Sequence, residues 1–251
     1  MTQKEALKKS YEILSPFSDN QKWEFDNNLV HLRHITRFIG KDAEILDVGC
    51  GIGILALALI LLGYKVKGLD KYVFIPSNYY HVRDVERLKK IWASYALEVF
   101  NTDLLDEESK KTYGMVVSVA TIEHQPYPKR FLTKLLEKTK NGGLIYIATP
   151  NITNLMNRLR FLLGRSPVTN IKTFFNEGND FNGHWREYIL SELKLMFTEL
   201  SIEIVCARNT QSMRPDFSLK KMFKVHRSIC RFLAYFVPGT GDTNIIIGRK
   251  E

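Results

Sequence analysis

Asp47-Val-Gly-Cys-Gly-Ile-Gly53 is the stretch on which the fold turns. Just before it, Glu44-Ile-Leu-Asp-Val48 has the apolar density of a short buried strand. Just after it, residues 54–62 are small and apolar throughout, and Gly63 closes the run. A strand, a glycine loop and a helix apolar on every side make the first half of a buried βαβ unit. Glycines 49, 51 and 53 let the backbone turn sharply and approach a ligand, because no Cβ stands in the way. The following helix presents its N-terminus to that ligand. Lys65-Val-Lys-Gly-Leu-Asp70 reads as the second strand and ends on a carboxylate. An acid at that point can accept hydrogen bonds from both hydroxyls of a ribose.

Outward from this unit the alternation continues. Residues 77–94 read as a helix, 97–100 as a third strand followed by Asp103, and 115–119 as a fourth strand. Pro128 opens a helix to Lys138, Asn141-Gly-Gly143 turns the chain, and 144–148 is a fifth strand ending in Thr149-Pro-Asn151. Ser191 is expected to cap a helix over 192–200, which leads to a strand at 202–207; a last strand lies at 244–248. On the N-terminal side, Trp23, Phe25, Leu29, Leu32, Ile35, Phe38 and Ile39 fall roughly at helical spacing until Gly40. The expected organisation is a helical segment over 1–43 and an α/β domain over 44–251, with insertions at about 152–185 and 208–243. Strands alternating with helices imply a doubly wound parallel sheet covered on both faces.

Composition narrows the function classes. The 251 residues are 45% hydrophobic and 25% charged, an ordinary globular balance that excludes disordered and collagen-like chains. Cys50, Cys206 and Cys230 lie far apart, which removes zinc-ribbon, iron–sulfur and disulfide-scaffold designs. The first ten residues lack the apolar core of a signal peptide, and the apolar run 52–62 is shorter than the roughly 20 residues a membrane span needs. A cytoplasmic protein is expected. The formal charge of +9 invites anionic partners.

The glycine spacing selects the cofactor. A dinucleotide loop runs G-x-G-x-x-G to seat a pyrophosphate. Here the pattern is G-x-G-x-G with Asp47 two positions before the first glycine. An acid there would repel a pyrophosphate but suits a ligand bearing an ammonium and a sulfonium. Residues 45–53 resemble the first motif of the class I S-adenosylmethionine-dependent methyltransferases. Asp70 is similar to that family's ribose-binding acid, with Lys71 beside it. Asp103 and Leu104 resemble the pair that holds the adenine. Residues 118–125, with Ile122-Glu-His124, look like the fourth-strand motif, and Asn141-Gly-Gly-Leu144 resembles the turn before the fifth strand. Ala148-Thr-Pro-Asn151 and His184-Trp-Arg-Glu-Tyr188 resemble the branch containing quinone-biosynthesis and polysaccharide-cluster O-methyltransferases. The resemblance implies a Rossmann-like sheet of seven strands with the last antiparallel, and S-adenosylmethionine as cofactor. It assigns Asp47, Gly49, Cys50, Gly51, Gly53, Asp70, Lys71, Asp103, Leu104 and Ala120 to cofactor binding.

Methyl transfer to a hydroxyl needs help with one proton. His124, past the fourth strand, and His184, before the 192–200 helix, titrate near neutrality and are the candidate bases, each with a structural hydrogen-bonding role as the alternative. Glu123 is a candidate carboxylate facing the acceptor. Coenzyme Q O-methyltransferases use Glu-x-x-Glu-His as part of a metal site; here Ala120 stands at the first position, so no metal is expected. Asn-Pro-Pro-Tyr, typical of amino-group methylation, is absent.

Residues 219–237 carry an apolar stripe (Leu219, Phe223, Ile229, Leu233) opposite a basic one (Lys220, Lys224, Arg227, Arg231). Such a helix either lies peripherally on an anionic membrane surface or packs on the domain with a solvated basic edge. Residues 155–163 form a second basic apolar stretch. The expected function is O-methylation of a small, sugar-containing or lipid-linked acceptor. The alternatives are a quinone-precursor methyltransferase, an RNA methyltransferase and a non-catalytic cofactor-binding module. Nucleic acid is disfavoured because no basic module with stacking aromatics is present.

Overall fold

The computed structural model describes residues 1–18, 24–71, 73, 82–168, 171–177, 181, 183–211, 237 and 239–251. Seven strands form one sheet in the order β3-β2-β1-β4-β5-β7-β6. They are β1 (Glu44–Val48), β2 (Lys65–Leu69), β3 (Glu98–Phe100), β4 (Tyr113–Val119), β5 (Thr139–Pro150), β6 (Ile202–Thr210) and β7 (Thr243–Lys250). β1 pairs in parallel with β2 and β4, β2 with β3, and β4 with β5. β7 runs antiparallel between β5 and β6. The order reverses at β1, and ligands of open α/β sheets bind at the carboxyl ends of strands beside such a switch point.

Helices cover both faces. α3 (Ile54–Leu61) is the apolar run after the glycine loop, and its residues from Ile54 to Leu59 are all buried. On that face, α1 (Gln3–Leu14) and α2 (Phe25–Phe38) enter the same core, with Leu7, Leu14, Leu32 and Ile35 packed among α3 and the β1–β4–β5–β7 side chains. Two polar contacts fix this layer. Ser10 Oγ donates to the Ile54 carbonyl at 2.6 Å, and the fully buried His31 holds the Tyr146 hydroxyl through Nδ1 at 2.8 Å. Burial pushes the His31 pKa down to about 3, so this imidazole stays neutral. α4 (Val85–Ser94) packs beside them through Leu88 and Trp92. The opposite face carries α5 (Pro128–Lys138) and α8 (Leu190–Glu199), which bury Phe131, Leu135, Leu193 and Phe197.

Several boundaries differ from the sequence expectation. The helix expected over 77–94 is seen from Val85, where Asp84 accepts from the Arg87 amide; residues 74–81 lie outside the described residues, as does Trp23. Leu97 belongs to the end of that helix, its amide bonded to the Trp92 carbonyl, so β3 starts one residue later. Asn141-Gly-Gly143 does not turn the chain before β5. Thr139 already pairs with Tyr113, and the next pairing joins Met115 to Leu144, so the glycines form an irregularity within β5. Ser191 is not the cap of α8. Ile189 holds that position, and Glu192 reaches back to its amide at 3.0 Å. The segment after β5 contains two helices, α6 (Leu155–Leu162) and α7 (Ile171–Glu177). The expected amphipathic stretch 219–237 lies outside the described residues except for Val237. No helix among the described residues is long and apolar enough to cross a membrane.

Candidate active site

The glycine loop is built as its residues dictate. Gly49, Gly51 and Gly53 all have positive φ, at 75°, 56° and 86°, a region that side-chain-bearing residues avoid. Gly49 N–H donates to the Leu69 carbonyl at 2.8 Å, and Trp92 Nε1 donates to the Ile52 carbonyl at 3.0 Å, so the loop is pinned to β2 and α4. A Cβ on Gly49 would fall on the Thr121 side chain. Thr121 itself bonds the Val48 carbonyl at 3.3 Å, which joins the end of β1 to the turn after β4.

The two acids of the motif lie together. Asp47 is buried, and its pKa is raised to about 7, first by desolvation and then by Asp70. A cationic ligand beside Asp47 would reverse that penalty, which is what an ammonium group offers. Asp70 accepts from Gly51 N–H at 2.9 Å and from Val73 N–H at 3.1 Å, one bond to each carboxylate oxygen, so the group cannot swing. Asp103 accepts from Leu105 N–H at 3.0 Å and forms an ion pair with Lys71. Lys71 therefore bridges the ends of β2 and β3, against the carboxylate expected to meet an adenine. Leu104 is buried in the core on the α5 side. Cys50 lies against Gly68, and burial, with Asp70 and Asp47 nearby, raises its thiol well above the usual range. It is a space-filling thiol rather than a nucleophile.

The second half of the site follows β4. Ala120 adopts a left-handed conformation at φ 52°, and the turn Ile122–His124 comes next. Glu123 is fully buried: one carboxylate oxygen accepts from the Thr149 hydroxyl at 2.8 Å, and the other, Oε1, is buried with no hydrogen-bond partner. Burial raises its pKa to about 7. The Glu123 carbonyl accepts from Trp185 N–H at 2.8 Å and Arg186 N–H at 3.3 Å. Those two bonds bring the distant His184 alongside His124, with ring centroids 4.8 Å apart, edge to face. His124 Nδ1 donates to the Gly183 carbonyl at 3.1 Å, and His184 Nδ1 donates to Glu187 at 2.8 Å. Desolvation opposes protonation of His184, yet the hydrogen bond to Glu187 and the charges of Glu123 and Glu187 leave its pKa raised. One ligand atom from each of Glu123, His124 and His184 lies within 4.8 Å of the others. The donor set fits a divalent cation: one carboxylate, two imidazoles and an unsatisfied buried oxygen. The expectation of no metal rested on Ala120 alone and missed His184 as a third donor. Phe174, Phe181 and Trp185 stack edge to face beside this cluster, at centroid distances of 5.1, 5.3 and 6.0 Å.

All three candidate catalytic residues thus come together, and the loop acids converge on the neighbouring strand ends. Sequence reasoning missed Thr121, Thr149 and Glu187. Only Glu187 left a trace, three residues after His184.

A sheet of this order, with an acid-bearing glycine loop at its switch point, defines the class I S-adenosylmethionine-dependent methyltransferases. Residues 23–207 match the family described as a methyltransferase domain, and the chain belongs to that family. It is 30% identical over 120 residues to a ubiquinone biosynthesis O-methyltransferase of Rickettsia akari, covering 48% of this chain and 45% of the relative. It is 32% identical over 126 residues to the enzyme of that name in Burkholderia ambifaria, covering 50% of each. The chain therefore spans about half the length of the curated relatives it matches. A solved S-adenosylmethionine-dependent methyltransferase of Archaeoglobus fulgidus shares the fold, with a TM-score of 0.56, 18% identity, and coverage of 88% of this chain and 92% of that one.

Proposed function

We propose that this chain transfers the methyl group of S-adenosylmethionine to a hydroxyl oxygen of a lipid-linked aromatic acceptor of the quinone-precursor class. The observation that carries this reading is the convergence of Glu123, His124 and His184 beside the glycine loop. An amine nucleophile has no need of such a cluster, whereas a hydroxyl must lose its proton as the methyl arrives. The cofactor supplies an already activated methyl, whose bond to sulfur breaks as the bond to oxygen forms. Asp47 meets the cofactor's ammonium and Asp70 its ribose, while the Glu123–His124–His184 cluster takes charge of the acceptor's proton. The Phe174–Phe181–Trp185 stack offers an aromatic wall to a ring-bearing acceptor. The half-length similarity to ubiquinone biosynthesis O-methyltransferases supports the same acceptor class.

A lipid surface is the proposed source of that acceptor. Phe161, Leu162 and Phe175 are 74%, 81% and 81% exposed, and Arg160, Arg165 and Lys172 lie among them with no acid between residues 151 and 176. Apolar tips with basic neighbours suit a peripheral hold on anionic lipid.

Transfer of labelled methyl from S-adenosylmethionine to an isoprenyl-substituted catechol, against a nucleotide sugar and against RNA, tests the acceptor class. The catechol should be methylated, and His184→Ala should slow that transfer by about 10²–10⁴ while S-adenosylhomocysteine still binds. Methylation of the sugar or RNA alone would overturn the assignment.

A further inference from the structure

We infer that Glu123, His124 and His184 form a site for one divalent transition-metal ion, of the zinc and cobalt kind rather than magnesium. The inference deepens the proposed role of the same cluster, but its test uses neither acceptor nor cofactor.

Three independent features point to a cation. The first is spacing. Ligand atoms around an ion at about 2.1 Å sit roughly 3–4 Å apart, so the present limit of 4.8 Å closes with side-chain shifts of well under an ångström. The second is the Glu123 carboxylate. Thr149 anchors one oxygen, and the other is left buried and unpartnered, which is costly unless something positive meets it. The third is the outer layer. Each imidazole donates its Nδ1 proton, His124 to a main-chain carbonyl and His184 to a carboxylate. That places the lone pair of both rings on Nε2, and it is the arrangement by which metal-bound histidines are oriented and made more basic.

The donor types set the choice of ion. Ala120 contributes no oxygen, and its exposed methyl leaves that side open. His184 supplies the third donor instead, from a segment docked on the Glu123 carbonyl. A carboxylate-rich set favours hard ions such as magnesium, whereas two imidazoles and one carboxylate favour zinc, cobalt or nickel. Three protein donors also leave a coordination position for another ligand, the hallmark of a reactive rather than a structural site. A hydroxyl bound there would lose its proton at a lower pH than in water.

The full chain, freed of metal by chelation and dialysis, should be titrated with Zn²⁺, Co²⁺ and Mg²⁺ by calorimetry, and its Co²⁺ visible spectrum recorded. The inference expects one Zn²⁺ or Co²⁺ per chain, affinity for Mg²⁺ at least about 100-fold weaker, and Co²⁺ bands typical of nitrogen and oxygen ligation. His184→Ala should abolish the bands. Glu187→Gln, which keeps the ring packing, should weaken Zn²⁺ by about 10-fold. Absence of stoichiometric Zn²⁺ or Co²⁺ binding, a Co²⁺ spectrum unchanged in His184→Ala, or Mg²⁺ binding as tight as Zn²⁺ would each overturn it. Should His184→Ala fail to fold, the wild-type stoichiometry and the Glu187→Gln shift still decide. Methylation of some other acceptor would refute the proposed function and leave these measurements intact.

Discussion

Two glycines with almost the same backbone make an internal comparison of what the cofactor loop demands. Gly49 and Gly142 have φ of 75° and 72°, so alanine at either position pays the same left-handed penalty of about 1–2 kcal/mol. Their surroundings differ. A Cβ at 142 meets nothing within 4 Å, while one at 49 falls among Oγ1, Cγ2 and Cβ of Thr121. Overpacking of that kind adds about 1–3 kcal/mol. Gly142→Ala should therefore destabilise by about 1–2 kcal/mol, and Gly49→Ala by about 2–5 kcal/mol. Thr121→Ala alone loses the bonds to Val48 and Val119, about 0.5–1.5 kcal/mol each at most. Combined with Gly49→Ala it removes the collision, so the double variant should be more stable than the sum of the singles by about 1–3 kcal/mol. Urea denaturation of the four proteins measures every term. Equal losses at 49 and 142, or strict additivity in the double variant, would refute the claim that Thr121 and the loop are packed as one unit.

Other expectations follow from the same site. Asp70→Asn should weaken S-adenosylhomocysteine by about 1.5–3 kcal/mol in calorimetry, because charge-assisted bonds to the ribose become neutral ones; affinity within twofold of wild type would exclude Asp70 as the ribose acid. Asp47 has a folded pKa raised to about 7 against 3.8, so the folded state holds a proton that the unfolded state has released. The stability this contributes is complete below about pH 4 and is lost as pH rises through 7, by up to about 1.4 kcal/mol per pH unit. The difference between wild-type and Asp47→Asn unfolding free energies should show that slope between pH 4 and 7, and a flat difference would contradict it. Near pH 6, binding of S-adenosylhomocysteine should release a proton from Asp47, read as a dependence of binding heat on the buffer's ionisation enthalpy. Anionic vesicles should sediment the protein at low salt, and Arg160/Arg165/Lys172→Gln should cost about 3 kcal/mol of partitioning; equal sedimentation of the two would remove the lipid-surface proposal.

The sheet was readable because each strand carries its own apolar run and the βαβ alternation leaves few topologies. What failed were local decisions settled by pairing partners. Asn141-Gly-Gly143 has turn chemistry, but Thr139 already pairs with Tyr113, and the ladder absorbs the glycines. Ser191 is a better cap by residue type than Ile189, yet the reach of Glu192 to the Ile189 amide sets the helix start. Within the site, Asp47 and Asp70 announce themselves by their position at strand ends. The bridging of Asp103 by Lys71 could not be read, since it depends on where two neighbouring strands stop. Likewise, His124 and His184 lie 60 positions apart, and nothing in their local sequence reveals that one buried carbonyl gathers them.

That carbonyl belongs to Glu123, and it holds the later segment only through the main-chain amides of residues 185 and 186. Amides are the same in every amino acid except proline, so the side chains at both positions are left outside the agreement. Trp185 can be exchanged for a smaller or more polar group, and Arg186 for a neutral one, while His184 keeps its place. The catalytic cluster and the wall that meets the acceptor are thereby inherited separately. A lineage can change what it methylates by drift at Trp185 and Phe174 without rebuilding the chemistry, and a designer seeking new acceptors would begin with those two rings.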